Sequence, residues 1–429
     1  MNRRSLFIGF QLLISSLFFF LALSHAEEKP LMLSEAYTLS LKRSEDIAMK
    51  VATLDAAQAH FYQALNTVMP KVNYLITRKE QEVSGSGDTS SDVASTGTRR
   101  ITPEKKFTFS QPIFSGFKEF AAIQASGAEK AQRVFEIERA KELLFLDVVD
   151  AFYGVLKAQE DTEILNSIHG ALENRIKELT ERGKIGRSKD SEGQTAVADL
   201  KINEADLEEA KGAEVIARQL LEFYIGKEIQ GRLLDDNDFK RDVSDMAYYL
   251  AKSGYRSDLK ASEQAKILAE KNVVVAQSGL FPTVKIDGNY YTQRVGFQSG
   301  IDWDVLLTID IPILNGTETI GEIKEAAANR ETAKLKLGKL KRQTELDIKD
   351  AFVIFKVSGL QEKALEAAVD ASKKNYEMNL KDYHHSLVNN LDVMDALQKY
   401  QDVRLRLNQA HYQMLKSFWR LKVAIGETL

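Results

Sequence analysis

Four short stretches of the chain alternate apolar and polar residues with a period of two. Residues 71–80 read KVNYLITRKE and 105–113 read KKFTFSQPI; residues 283–293 read TVKIDGNYYTQ and 302–313 read DWDVLLTIDIPI. Each has two distinct faces. Val72, Tyr74 and Ile76 oppose Asn73 and Thr77, while Phe107, Phe109 and Ile113 oppose Lys106, Thr108 and Ser110. Val284, Ile286 and Tyr290 oppose Lys285, Asp287 and Asn289. Trp303, Val305, Leu307, Ile309 and Ile311 oppose Asp302, Asp304, Thr308 and Asp310. That period predicts four β-strands. After each pair the spacing turns helical, through Ile137, Leu144, Val148, Ala151, Phe152 and Val155, and again through Leu337, Leu340, Ile348, Ala351, Phe352 and Phe355. No proline lies between Pro112 and Pro282 or after Pro312. A proline inside a helix costs about 3 kcal/mol, so these tracts permit very long helices. From Gly116 to about Arg182, one helix would run roughly 100 Å at 1.5 Å per residue.

The two halves echo each other at one offset. FSQPIFSG (109–116) returns as IDIPILNG (309–316), LDVVDAF (146–152) as LDIKDAF (346–352), and Ile225-Gly226 as Ile425-Gly426. The chain is therefore read as an internal duplication, with a first unit over 27–226 and a second over 227–429. Solenoid repeats are far shorter, so a two-unit pseudo-symmetric fold is expected. The linker VSGSGDTSSDVASTGTRR (83–100) is rich in Ser, Gly and Thr and is expected to be exposed and mobile.

Alternation of this kind arises in a soluble sheet with one wet face, or in a membrane barrel with lipid outside and water within. Residues 1–26 bear on the choice. Arg3 and Arg4 precede the apolar run LFIGFQLLISSLFFFLAL, and Ser24-His25-Ala26 offers a small-x-small cleavage site, which together resemble an export signal. A retained anchor helix is the other reading of the same run, but Gly9, Gln11 and two serines interrupt it. Each strand has about the 9–11 residues that a tilted crossing needs, and no helical tract looks apolar enough to cover the sheet. A mean hydropathy of −0.28 excludes a bundle of membrane helices. With 28% charged residues and a net charge of −4, the chain offers no general attraction to nucleic acid. The absence of cysteine excludes disulfides, thiolate metal sites and a cysteine nucleophile.

Four strands cannot close a membrane barrel, since such barrels start at about 8 strands. An open edge in lipid leaves backbone groups unpaired at several kcal/mol each. A membrane-embedded sheet therefore requires copies of the chain. Two would supply 8 strands and three would supply 12, the latter with the wider lumen. The long helices lead to the same requirement, because a rod with an apolar stripe must bury it against neighbours.

The segments SQPIFSGFKEFAAIQASGAEKAQ and IPILNGTETIGEIKEAAANRETA, with the duplicated order strand, strand, long helix, resemble the TolC-like outer membrane efflux proteins. The similarity runs from LSEAYTLSLKRS (33–44) to WRLKVAIGE (419–427). It implies a mainly α fold with a transmembrane β part. Three identical chains would share one 12-stranded barrel in outer membrane lipid, continued by a long periplasmic α-helical barrel. The implied function is the exit duct of a tripartite efflux pump or a type I secretion system. A periplasmic adaptor and an inner-membrane transporter of RND or ABC type would be its partners, without catalysis or cofactor. Within that frame Pro112 and Gly116, and Pro312 and Gly316, are read as corners where a strand stops pairing and turns into a helix.

Each long helix is expected to turn back once, at RGKIGRSKDSEG (182–193) and DYHHSLVNNLDV (382–393). The resemblance makes Gly186, Arg187 and Ser188 candidate adaptor contacts, although an ordinary helix–helix turn with a glycine would look the same. Asp392 and Asp395 are three apart and share a helix face. An early acid near a capping asparagine, Asn389 or Asn390, is explained by capping and the helix dipole alone. The family pattern instead implies rings of carboxylates lining a cation-attracting constriction. Glu192 and Tyr383 match family positions that hold the tip closed. Val388 stands where that pattern has an arginine, so the closed state is expected to be held differently or less firmly. His384 and His385 are adjacent on a helix and point apart, which argues against a metal site. His60, His169 and His411 are single residues in helical tracts, and no Ser/His/Asp group, Walker loop or HExxH occurs. The competing reading is an exported coiled-coil adaptor or structural protein with a small soluble sheet.

Overall fold

The two proline-free tracts give the molecule its long axis. The computed structural model describes residues 30–82, 101–229, 231–235, 244–296 and 298–429. The expected export signal and the linker 83–100 lie outside the described residues. Helices α1 (Leu33–Arg43) and α2 (Glu45–Leu65) open the chain, separated by Ser44, whose Oγ accepts from the Ile47 amide at 3.3 Å. Strands β1 (Lys71–Glu80) and β2 (Ile101–Ser115) lead into α3 (Lys118–Lys184) and α4 (Asp190–Ile225). The second unit follows with α5 (Met246–Ala251), α6 (Ser257–Gln277), β3 (Thr283–Arg294), β4 (Trp303–Asp310), α7 (Glu318–His384) and α8 (Asn390–Ala424).

Duplication reaches the backbone. Helices α3 and α7 are both 67 residues long and begin and end 200 positions apart. Left-handed residues recur at the same offset: Gly116 and Gly316 before the long helices, Gly186 and Ser386 at their far ends, and Gly226 and Gly426 after the returning helices. At the first corner the conformation and the space both demand glycine. Gly116 has φ +65, and a Cβ there would stand 2.6 Å from the Ser278 carbonyl oxygen and 2.9 Å from the Phe281 Cβ. Gly316 has the same conformation in open space.

The sheet is antiparallel throughout, in the order β1-β2-β3-β4, so β1 and β4 are its free edges. Its bounds differ from those expected by one residue in β3, which ends at Arg294, and by more at two strands. β2 extends from Ile101 to Ser115 rather than over 105–113, and β4 covers Trp303–Asp310 rather than 302–313. The prolines therefore do not end the pairing. In β2 a register shift between Pro112 and Phe114 absorbs the missing donor as a bulge, and the strand continues. In β4 pairing has already stopped at Asp310, before Pro312. The turn into the helix comes at the glycine in both units, reinforced in the first by Phe117, which is also left-handed at φ 67.

The core lies midway along the helices. Phe145, Val148 and Phe152 of α3 meet Leu221 and Ile225 of α4, Trp419 and Leu421 of α8, and Leu33 of α1, all buried. Each such side chain contributes about 1.5–3 kcal/mol by leaving water. The Trp419 indole N–H donates to the Tyr153 hydroxyl at 3.3 Å within this cluster. Helix α3 packs against α1, α2, α4, α6 and α8, whereas α7 packs mainly on α6 and α8. Among the described residues, no helix is long and apolar enough to cross a membrane.

Candidate functional site

At the end of the molecule away from the strands, α3 turns into α4 and α7 into α8. The buried stripe of α3 runs Ile168, Leu172, Arg175, Leu179, so an arginine occupies a position that its spacing reserves for the core. Arg175 is 4% exposed. Its guanidinium carbon sits 3.8 Å from the centre of the Tyr383 ring. Nε donates to Asn390 Oδ1 at 2.9 Å and Nη1 to Glu178 Oε2 at 2.7 Å. Arg182, two turns on, lies 4.4 Å from the same ring and donates to the Tyr383 carbonyl at 3.5 Å. Asn390 in turn donates from Nδ2 to the Glu192 carbonyl at 3.4 Å. One buried cation thus links α3, the end of α7 and the start of α8, and reaches α4 through Asn390. Its Nη2 is buried and has no hydrogen-bond partner among the described residues.

Val388 is half-buried and packs with the cluster of Leu179, Ala196, Tyr383 and Val393. The position where the resemblance has an arginine is therefore apolar here, and the positive charge on Tyr383 comes from α3 instead. Glu178 also accepts from Arg182 at 3.4 Å and lies 3.3 Å from His384 Nδ1.

Asn389 caps α8, and Asp392 completes a reciprocal box. The Asp392 amide donates to Asn389 Oδ1 and the Asn389 amide to Asp392 Oδ2, both at 3.1 Å. Asp395 is exposed and makes no hydrogen bond or ion pair among the described residues. Its charge is felt across the groove: burial, and then the negative charge of Asp395, push the Asp199 carboxyl of α4 up. Ser188 donates to Glu192 Oε2 at 2.7 Å, which engages both side chains inside the α3–α4 turn. Gly186 and Arg187 are exposed beside Ile185, and Leu387 is exposed on the opposite turn. Those two apolar tips and Arg175 are not singled out by the sequence reading, and Asn390 enters it only as one of two capping candidates, a role that falls to Asn389. The signal for Arg175 was present as a charge on an apolar stripe.

At the other end, the sheet separates its faces by rows. Tyr74, Phe107, Tyr290 and Trp303 are consecutive cross-strand partners and are all exposed, as are Val72, Phe109 and Val305 in the row that passes over Gly288. The Tyr74 and Phe107 rings lie 4.7 Å apart between centres, tilted by 45°. The opposite face is a polar network. Ser110 donates to Asp287 at 2.6 Å, and Asn289 and Tyr291 donate to the two oxygens of Asp304 at 2.7 and 2.8 Å. Among the described residues no element covers the apolar rows, and a sheet packed on a soluble core would not leave them bare.

The family profile described as "Outer membrane efflux protein" matches residues 36–227 and 253–427. Outer membrane protein TolC of Vibrio cholerae is 22% identical over 419 residues, covering 92% of this chain and 90% of that protein. Alkaline protease secretion protein AprF of Pseudomonas aeruginosa is 21% identical over 434 aligned residues, covering 95% and 87%. The crystal structure of the outer membrane protein VceC from Vibrio cholerae has a TM-score of 0.79 at 18% identity, over 92% of this chain and 96% of that one. A fold in common follows from that likeness.

Proposed function

The chain belongs to the outer membrane efflux protein family and is an outer membrane efflux channel protein; from that premise we propose how it closes, opens and docks. Three copies pair β1 of one with β4 of the next, giving a 12-stranded barrel, with the apolar rows on lipid and the Asp287–Asp304 network on the lumen. The observation that carries this reading is the four-stranded sheet with one bare apolar face and two free edges. Unpaired edges in lipid cost several kcal/mol per group, and closure removes that cost. The α-helical part continues the barrel as a periplasmic conduit.

The duct is passive and carries out no chemistry. An inner-membrane transporter of RND or ABC type supplies the energy, and a periplasmic adaptor docks at the turns around Gly186, Arg187 and Ser188. Protein secretion and drug efflux are both served by channels of this kind, and the inner-membrane partner sets the cargo. In the resting state Asp392 and Asp395 from three chains ring the constriction and favour cations. The Tyr383 contacts and Glu192 hold the tip helices together, and docking separates them in an iris-like movement.

Closure is tested by disulfide trapping, which the cysteine-free chain allows without background. Single cysteines on β1 (Val72 to Ile76) are combined with single cysteines on β4 (Val305 to Ile309) and oxidised in isolated outer membranes. The expected result is bands of two and three chains, and none larger. Only single chains, or a ladder that runs past three, would refute the trimer.

A further inference from the structure

Two residues break the polar face of the sheet. Leu75 lines up with Lys106 and Leu306 with Asp287, so both lie on the face that carries Ser110, Asn289 and Asp304, and both are exposed. They stand on the two edge strands, one on β1 and one on β4. The charges of this face divide in the same way. On the inner strands they are paired within the chain, Lys106 with Glu104 at 3.0 Å and Lys285 with Asp287 at 3.1 Å. Lys71 and Lys79 on β1, Asp310 on β4 and Asp302 just before it are exposed and make no ion pair among the described residues. What is unmatched on this face therefore lies along its two free edges.

Resting on the three-chain barrel, we propose the register of its seam: Leu306 of one chain faces Leu75 of the next. The two strands run antiparallel there, so one pair fixes all the others. Lys71 then faces Asp310 and Lys79 faces Asp302. On the lipid side Ile76 meets Val305, and the Arg78 guanidinium reaches the Trp303 ring. A slip of one residue would set the lipid row of one strand against the lumen row of the other. A slip of two sets Leu306 against Asn73 or Thr77 and parts both charge pairs. One such slip would bring Lys79 to Asp304, but that carboxylate already accepts from Asn289 and Tyr291 at 2.7 and 2.8 Å. Along its own sheet Leu306 lines up with Asp287, Ser110 and Lys71, so the seam advances four residues per chain, from 71 to 75. Over three chains that stagger tilts the strands by roughly 35°, an ordinary tilt for a barrel.

The test uses pairs of cysteines placed in the cysteine-free chain and oxidised in isolated outer membranes. The Tyr291 N–H donates to the Asp302 carbonyl at 2.8 Å, so the even-numbered residues of β4 turn their backbone groups to β3. Toward the next chain they form the pairs without hydrogen bonds, with Cα atoms about 4.5 Å apart, which a disulfide spans. Leu75→Cys with Leu306→Cys in one chain is expected to give a covalent trimer. Its yield should exceed at least about fivefold that of Leu75→Cys with Asp304→Cys or with Thr308→Cys, whose Cα atoms would stand about 7–8 Å apart. Asp310→Lys is expected to lower the temperature at which the detergent-solubilised trimer dissociates, and adding Lys71→Asp is expected to restore it. A covalent trimer formed best by either flanking pair would overturn the register and leave the three-chain barrel standing, as would a charge swap that restores nothing. No covalent trimer from any of the three pairs would overturn the register together with the barrel.

Discussion

Replacing Arg175 by methionine should loosen the closed tip without unfolding the chain. Methionine keeps an unbranched stem on the Leu172–Leu179 stripe, so most of the packing survives. What is lost is specific. A desolvated guanidinium over a tyrosine face is worth about 2 kcal/mol. The bonds to Asn390 and Glu178 are charge-assisted, about 1.5–3 kcal/mol each. Against this, the substitution removes a buried unpaired N–H, worth about 1–3 kcal/mol. Glu178 also keeps Arg182 and His384. With the Glu178 bond taken as compensated by those partners, the net weakening centres on about 2–3 kcal/mol. If the open tip lacks these contacts, its population rises about 30- to 150-fold at 1.4 kcal/mol per tenfold. Purified channels in planar bilayers report it as the fraction of time spent at high conductance. Arg175→Lys keeps the charge without the flat face and should fall between the two. An R175M channel that stays as closed as the parent, with its unfolding midpoint unchanged, would refute the assignment of Arg175 as the pin.

Two further substitutions probe the scaffold. Gly116→Ala should cost more than Gly316→Ala in urea unfolding: both incur the left-handed penalty of roughly 1–2 kcal/mol, but only the first drives a Cβ to within 2.6 Å of the Ser278 oxygen. Equal losses would show that the first corner relaxes freely. Asp258→Asn should lower stability at neutral pH by about 3 kcal/mol, because buried Arg256 then keeps only Asp347 as a charged partner. Burial raises the Asp258 carboxyl, but the hydrogen bonds from Arg256 and the positive charges of Arg139 and Arg256 outweigh it and hold the group below the usual range. Its contribution is therefore complete above the unfolded value of about 3.9 and is lost as pH falls through the lower folded value. The gap between parent and variant should shrink toward pH 3, and a gap independent of pH would exclude the ion pair as its source.

The strands were legible because both faces of the sheet keep their chemistry without help from the rest of the chain. Val72, Tyr74 and Ile76 read as one face and stand on one face. The start of β2 was not legible, since Pro103 in ITPEK reads as a breaker. It is tolerated because β2 is an edge there, paired at Pro103 with Arg78 of β1 only, its pairing with β3 beginning at Glu104. At the tip, spacing offered Asn389 or Asn390 as the cap with an acid in the first turn, and the structure has Asn389 with Asp392. The Arg175 contacts did not, because Tyr383 and Asn390 lie more than 200 positions along the chain and only the pairing of the two units brings them together. Val388 became intelligible once the charge was found on α3.

What the periodicity of a duplicated sequence cannot separate is an apolar stripe covered by its own chain from one that waits for another. Phe152 and Val155 of α3 are buried, flanked by helices on both sides. In α7, with the same spacing, Phe355 is buried, but Leu335, Val357, Leu360 and Met378 are exposed. Ile216 and Phe223 of α4 are exposed as well. The bare stripes belong to α4 and α7, which lie at opposite margins of the helix layer, one packed on α3 and the other on α8 and α6. A two-fold axis passing through the contact itself would match α4 with α4 and β1 with β1. A head-to-tail ring instead gives α4 of one chain the α7 of the next, while the same rotation brings β1 to β4. Two unfilled edges, one in the sheet and one in the helices, are thus satisfied by a single operation, and that coincidence favours a closed head-to-tail ring over an assembly that pairs like edges.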